Sequence, residues 1–271
     1  YLASYAGAIE KIGKAAGSSA LPARPGISVK LSALHPRYEA VNQERVMRDL
    51  VPRMIDLARS AKAYDLNLTV DAEEADRLEL SLDVIAAVLA DPTLAGWHGF
   101  GLAIQAYQKR APEVVEWIGG LAEAYGRRLM VRLVKGAYWD TEVKRAQERG
   151  LAGYPVFTRK AATDLSYLAC ARRLLARRDR IYPQFATHNA LTVAQIMELG
   201  GHDARAGGRA AAASLGFEFQ RLHGMGESLY RAVTEQEGVP CRIYAPVGGH
   251  RDLLAYLVRR LLENGANSSF V

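Results

Sequence analysis

The sequence predicts a closed (β/α)8 barrel of the TIM type, and three observations carry that reading. Short apolar runs of strand length alternate with longer segments of helical period. Seven or eight such β-then-α units fit within 271 residues, which suits one barrel better than an open doubly wound sheet. Almost every expected strand ends on a polar residue, as a barrel with chemistry at the carboxyl ends of its strands requires.

The elements follow in order. Residues 1–25 read as an N-terminal helix and linker, and Ile27–Leu31 as the first strand, after the Pro22–Gly26 turn region. Asn42–Tyr64 reads as a helix, Asn67–Asp71 as a strand and Asp76–Leu89 as a helix. Gly99–Gln105, then a helix over Pro112–Tyr125, then the strand Leu129–Val134 continue the alternation. Helices are expected over Asp140–Arg149 and Asp164–Ala176, and strands at Phe185–His188, Phe217–Leu222 and Cys241–Ala245. Arg251–Glu263 reads as a strong helix, and Ser269–Val271 as the start of an eighth strand. The Gly/Ala-rich segment 200–216 interrupts the pattern and reads as a flexible loop or weak helix. No linker divides the chain, so residues 1–271 are expected to form one barrel domain.

Composition excludes whole classes. Lys and Arg number 35 against 29 Asp and Glu, a net charge of +6, with 49% hydrophobic and 24% charged residues. These are ordinary globular fractions, not those of a disordered, collagenous or coiled-coil chain. No apolar run approaches the ~18 residues of a transmembrane helix. The start, YLASYAGAIEK, has neither an initiator Met nor a signal pattern, so the chain is expected to be a piece of something longer. Two cysteines, Cys170 and Cys241, make no disulfide framework. The positive charges are dispersed and no nucleic-acid-binding motif occurs, which argues against a nucleic-acid module.

The expected strand ends carry Lys30, Asp71, Gln105, Arg132, His188, Gln220 and Tyr244. Lys30 stands inside the apolar run ISVKLSALHP, where an unpaired charge would be costly. It reads as a buried cation paired with Asp71 or with an anionic ligand, since central parallel strands have no wet face. Asp71 opens DAEEAD; Glu73 and Glu74 suit the first turn of a helix, whereas Asp71 still belongs to the strand. The densest segment is Arg132–Trp139, RLVKGAYW, where an arginine in an apolar strand is followed by glycine and two aromatics. Small residues there would let a planar ligand approach the backbone. The six histidines show no ligand spacing, so no metal site is expected, and His188 reads as a hydrogen bonder. In Arg251–Glu263, Tyr256, Arg260 and Glu263 share a face, Arg259 stands four residues before Glu263, and the arginine pair suits capture of a carboxylate or phosphate. A Schiff-base aldolase using Lys30 or Lys135 is the competing enzyme reading.

Taken together, VKLSALHPRYE, DAEEADRLELSLDV, LAIQAYQKRA, RLVKGAYWD, FATHN, EFQRLHGMGE, CRIYAPVG and LAYLVRRLLENGANSSFV closely resemble the proline dehydrogenase domain of the bacterial bifunctional flavoenzymes called proline utilization A. The resemblance implies a distorted (β/α)8 barrel that binds FAD and oxidises L-proline to Δ1-pyrroline-5-carboxylate, with electrons passing to a membrane quinone. It implies a cytoplasmic protein that contacts the inner membrane peripherally, and it marks the DNA-binding and aldehyde dehydrogenase parts of such proteins as absent from this chain. By the same resemblance Arg259 and Arg260 clamp the substrate carboxylate, with Lys30 and Asp71 in the same pocket. Tyr138, Leu222, Tyr244 and Tyr256 enclose the pyrrolidine ring, and Arg132 stands near flavin N5. Asp71, Gln105, Val134, Lys135, Gly136, Ala137, Tyr138, Trp139, Thr158, Arg159, Lys160, Thr187, His188, Asn189, Gln220 and Glu263 fall at FAD-contacting positions.

Overall fold

Seven parallel strands pair strictly in chain order, with no reversal such as an open doubly wound sheet shows. The computed structural model describes residues 1–202, 215–247 and 258. The strands are β1 (Gly26–Val29), β2 (Asn67–Val70), β3 (Phe100–Gln105), β4 (Leu129–Val134), β5 (Ile181–Ala186), β6 (Glu218–Leu222) and β7 (Cys241–Tyr244). The helices are α1 (Leu2–Ala15), α2 (Leu31–Leu34), α3 (Gln43–Ala63), α4 (Leu78–Leu89), α5 (Ala111–Ala124), α6 (Trp139–Glu148), α7 (Lys160–Ala176), α8 (Ala190–Leu199) and α9 (Glu227–Glu235).

The sheet curls into a distorted barrel, and the side chains that cross it show the curl. Arg132 on β4 donates from Nη1 to Ser28 Oγ on β1 at 3.1 Å. Arg242 on β7 donates to the carbonyls of Arg24 (2.7 Å) and Pro22 (2.5 Å), just ahead of β1. The expected eighth strand and the helix Arg251–Glu263 lie outside the described residues, apart from Val258.

Alternation along each strand sorts the two faces. Phe185 and Phe219 face outward and meet Phe217 and Tyr230, with ring centroids 5.5 Å (185–217), 5.7 Å (217–219) and 5.8 Å (219–230) apart. Each such buried aromatic contributes about 1.5–3 kcal/mol relative to exposure. The opposite face carries Arg132, Gln184 and Glu218 in register across β4–β6, and Gln220 beside Arg242 across β6–β7.

Several boundaries differ from the sequence expectation. β1 ends at Val29, and Leu31 starts the one-turn helix α2 instead of closing the strand. Asp71 falls just past β2, though its N–H still donates to the Val29 carbonyl at 2.9 Å and so continues the ladder. β5 begins at Ile181 and ends before Thr187 and His188. Pro183, which has no N–H for a ladder bond, obscured its first four residues. α7 begins four residues early, at Lys160, and α8 and α9 were not anticipated. Among the described residues no helix is long and apolar enough to cross a membrane.

Candidate active site

A cavity of about 450 Å³ opens at the carboxyl ends of the strands, within the usual ~300–1,000 Å³ of small-molecule sites. Successive strand ends deliver Lys30, Asp71, Gln105, Arg132 with Val134, Lys135, Ala137 and Tyr138, then Thr187, His188 and Asn189, then Gln220 and Leu222, and last Tyr244. Tyr256, Arg259, Arg260 and Glu263 lie outside the described residues. Gly136, Trp139, Thr158, Arg159 and Lys160 do not line the cavity. Trp139 is largely exposed and donates from Nε1 to the Phe157 carbonyl at 3.0 Å. Lys160 opens α7 and pairs with Asp164 at 2.8 Å.

The charges centre on Asp71. One of its oxygens accepts from the Arg132 guanidinium. The other lies 3.7 Å from Lys30 Nζ and 3.5 Å from the Tyr244 hydroxyl. Arg132 also stacks over the Tyr244 ring, 5.1 Å from its centroid, and Lys30 donates to the Tyr138 hydroxyl at 3.3 Å. Burial alone would lower the Lys30 pKa, but the Asp71 carboxylate and Tyr138 outweigh it and hold the amine above the ordinary lysine range. That direction counts against the aldolase reading, which needs a neutral amine. Lys135 fares no better as a nucleophile, since its Nζ is held 2.5 Å from Asp164. Burial pushes Asp164 up, yet Lys135 and Lys160 together keep it below the usual carboxylate range.

The loop after β4 is fixed from both sides. Gln105 donates to the Glu73 carbonyl at 2.8 Å and accepts from the Ala137 N–H at 3.0 Å, joining the loops that follow β2 and β4. Glu142 on α6 accepts from the Ala75 N–H at 2.6 Å, and burial raises its pKa. Gly136 has φ +154°, and a Cβ there would stand 2.4 Å from the Tyr107 ring. The glycine is therefore required by its backbone and by Tyr107. Gly136→Ala is expected to cost about 1–3 kcal/mol of stability, read as a lower urea midpoint. An unchanged midpoint would contradict this account of the loop.

On the far side His188 accepts the Leu222 N–H on Nε2 at 3.0 Å, which assigns its proton to Nδ1. Asn189 caps α8 by accepting the Thr192 N–H at 2.9 Å. Gln220 is buried, and its Oε1 has no hydrogen-bond partner among the described residues.

Comparison with known proteins settles the family. A family model described as proline dehydrogenase matches residues 1–271. The chain belongs to the proline dehydrogenase family. Bifunctional protein PutA of Salmonella typhimurium is 58% identical over 276 residues, covering all of this chain and 20% of that protein. A proline dehydrogenase of Deinococcus radiodurans is 28% identical over 255 residues, 92% of this chain and 68% of that one. A solved structure of proline utilization A with proline bound in remote sites superposes with TM-score 0.92 at 69% identity, over 100% of this chain and 27% of that one. The Bdellovibrio bacteriovorus protein, inactivated by N-propargylglycine, gives 0.89 at 31% identity, over 99% and 28%. The chain thus spans about a fifth of the length of the bifunctional relatives it matches.

The cavity also has walls that sequence reasoning missed: Ser32, Ala72, Glu73, Glu74, Arg77, Ala103, Ala186 and Arg221. Glu73 does not cap the helix that follows it; it accepts the Ser32 N–H in the first turn of α2 at 3.0 Å and pairs with Arg77 at 2.8 Å. The i, i+4 spacing of Glu73 and Arg77 was the available signal.

Proposed function

We propose that the chain is the catalytic barrel of an FAD-dependent proline dehydrogenase that oxidises L-proline to Δ1-pyrroline-5-carboxylate, the first step of proline catabolism. The observation that carries this reading is the Asp71-centred cluster of Arg132, Lys30, Tyr138 and Tyr244 at the mouth of a family barrel. The donor set suits FAD. An isoalloxazine ring presents carbonyl and ring-nitrogen acceptors together with an N–H donor, and the cavity offers the Arg132 guanidinium and the unpartnered Gln220 Oε1. When bound, FAD supplies a hydride acceptor at N5 and an electron store that a quinone empties.

The chain's own residues bind, orient and exclude. Gln105, Val134, Lys135, Ala137, Thr187, His188, Asn189 and Gln220 would hold the cofactor in the cavity. Gly136, Trp139, Thr158, Arg159, Lys160 and Glu263 would serve it beyond. Arg259 and Arg260 would fix the substrate carboxylate, and Tyr138, Leu222, Tyr244 and Tyr256 would shape the slot for its ring. The substrate amine must be neutral to lose a hydride from the adjacent carbon. Lys30 is already protonated and takes no proton from it. Instead the cations Lys30 and Arg132 in the cavity wall disfavour a further positive charge on the substrate nitrogen. Peripheral contact with a membrane, where the quinone resides, belongs to the same proposal.

The reading is tested by L-proline turnover with a soluble quinone, followed at the quinone's absorbance; FAD-loaded protein that reduces none would overturn it. A second test isolates Arg132. A charge-assisted bond of about 1.5–3 kcal/mol to the reduced flavin corresponds to about 30–60 mV for two electrons. Arg132→Met is expected to lower the flavin midpoint potential by that amount, and an unmoved potential in a variant that retains FAD would reject the role.

A further inference from the structure

The geometry points to Glu218 as a positioning residue that locks the Gln220 amide so that its oxygen faces the cavity as a fixed acceptor. Glu218 lies on β6, two residues before Gln220, and is 3% exposed. Its Oε1 accepts from Gln184 Nε2 at 2.9 Å, from Gln220 Nε2 at 3.0 Å and from Arg242 Nε at 2.7 Å. Its Oε2 accepts from Arg242 Nη2 at 3.0 Å. A carboxylate held by a guanidinium only accepts. Both glutamines must therefore turn their NH2 groups toward it. The reverse orientation would set an amide oxygen against a carboxylate oxygen. The structure shows the consequence: Gln184 Oε1 and Gln220 Oε1 are both buried without a partner among the described residues. Of these two glutamines, Gln220 lines the cavity.

A ligand that brings an N–H or O–H to that point completes a buried acceptor, while one that brings only acceptors is repelled. In FAD the imide N–H, the ribityl and ribose hydroxyls and the adenine amino group are the available donors, so the inference rests on the flavin reading where affinity is concerned. Arg242 extends the lock outward. The guanidinium that holds Glu218 also holds the carbonyls of Pro22 and Arg24, so the orientation of Gln220 is tied to closure of the sheet between β7 and the segment before β1.

The lock itself is tested without the cofactor. In FAD-free protein carrying 15N-glutamine, the side-chain amide pair that disappears in Gln220→Leu is assigned to Gln220. Its exchange with deuterated water is expected to be at least about tenfold slower than in Glu218→Met, because hydrogen-bonded protons exchange only on opening. Equal rates overturn the lock. A double-mutant cycle then tests its purpose, with FAD affinity read from flavin fluorescence. Glu218→Met is expected to weaken FAD binding by about tenfold alone and by less than about twofold in the Gln220→Leu background. The same factor in both backgrounds overturns the positioning role. Should Glu218→Met fail to fold with Arg242 left unpaired, Glu218→Met/Arg242→Met takes its place, since an apolar pair leaves no buried charge. A wild-type protein that binds no FAD overturns the flavin reading, and the exchange experiment still decides the lock.

Discussion

Asp71→Ala is expected to lower stability by about 3–5 kcal/mol and proline turnover by about 100-fold. Asp71 and Arg132 pair with side chains only 15% and 10% exposed, so deleting the carboxylate strands a guanidinium inside the barrel. The same deletion removes a shared partner from Lys30 and Tyr244, which reach Asp71 from opposite ends of the sheet. A group displaced by about 1 Å in a reactive site can cost about 100-fold in rate. Urea unfolding should show a lower midpoint at unchanged slope. The pH dependence has a definite sign. Lys30 is raised above its ordinary 10.5, so its contribution is complete below that value and is lost only as pH climbs through the folded value. Lys30 should therefore give no slope of stability across the neutral range. A wild-type-like midpoint for Asp71→Ala would show that the cluster is not the mainstay proposed for it.

Arg260→Ala is expected to weaken proline binding by roughly 10- to 100-fold. One charge-assisted hydrogen bond to a carboxylate contributes about 1.5–3 kcal/mol, and about 1.4 kcal/mol is a factor of ten. Arg260→Lys should restore little, because a point charge does not reproduce the planar fork. A five-membered ring carboxylate with oxygen in place of nitrogen should compete with proline without reducing flavin, having no amine to become an imine. Titrating this analogue into wild type and Arg260→Ala, with flavin absorbance as the signal, separates carboxylate capture from chemistry. Equal affinities would remove Arg260 from the clamp.

The barrel was legible because its outward residues write apolar runs at strand length, and β4 was placed at Leu129–Val134 without error. β5 was mostly lost because Pro183 and Gln184 break such a run, although a neighbouring strand on each side still pairs with it. α8 carried a readable signal in the Asn189 cap, but one cap without a strong apolar period did not reveal it. Lys30, Asp71 and Arg132 stood out as charges within or at the end of apolar strands. Which of them pair is a property of the curl, since Arg132 comes from β4 and Asp71 from the end of β2. Glu218 and Arg242 escaped notice for the opposite reason. In sequence they look like the solvent side of alternating strands, and only closure of the sheet turns that face inward.

The central claim is that this barrel holds FAD so that proline reduces it. Its most direct measurement is the visible absorption spectrum of the FAD-loaded protein in the absence of oxygen, before and after L-proline. The account predicts that the yellow flavin band bleaches on addition of proline and returns when a quinone is supplied. A protein that takes up no FAD, or a bound flavin whose band survives saturating proline, would contradict it.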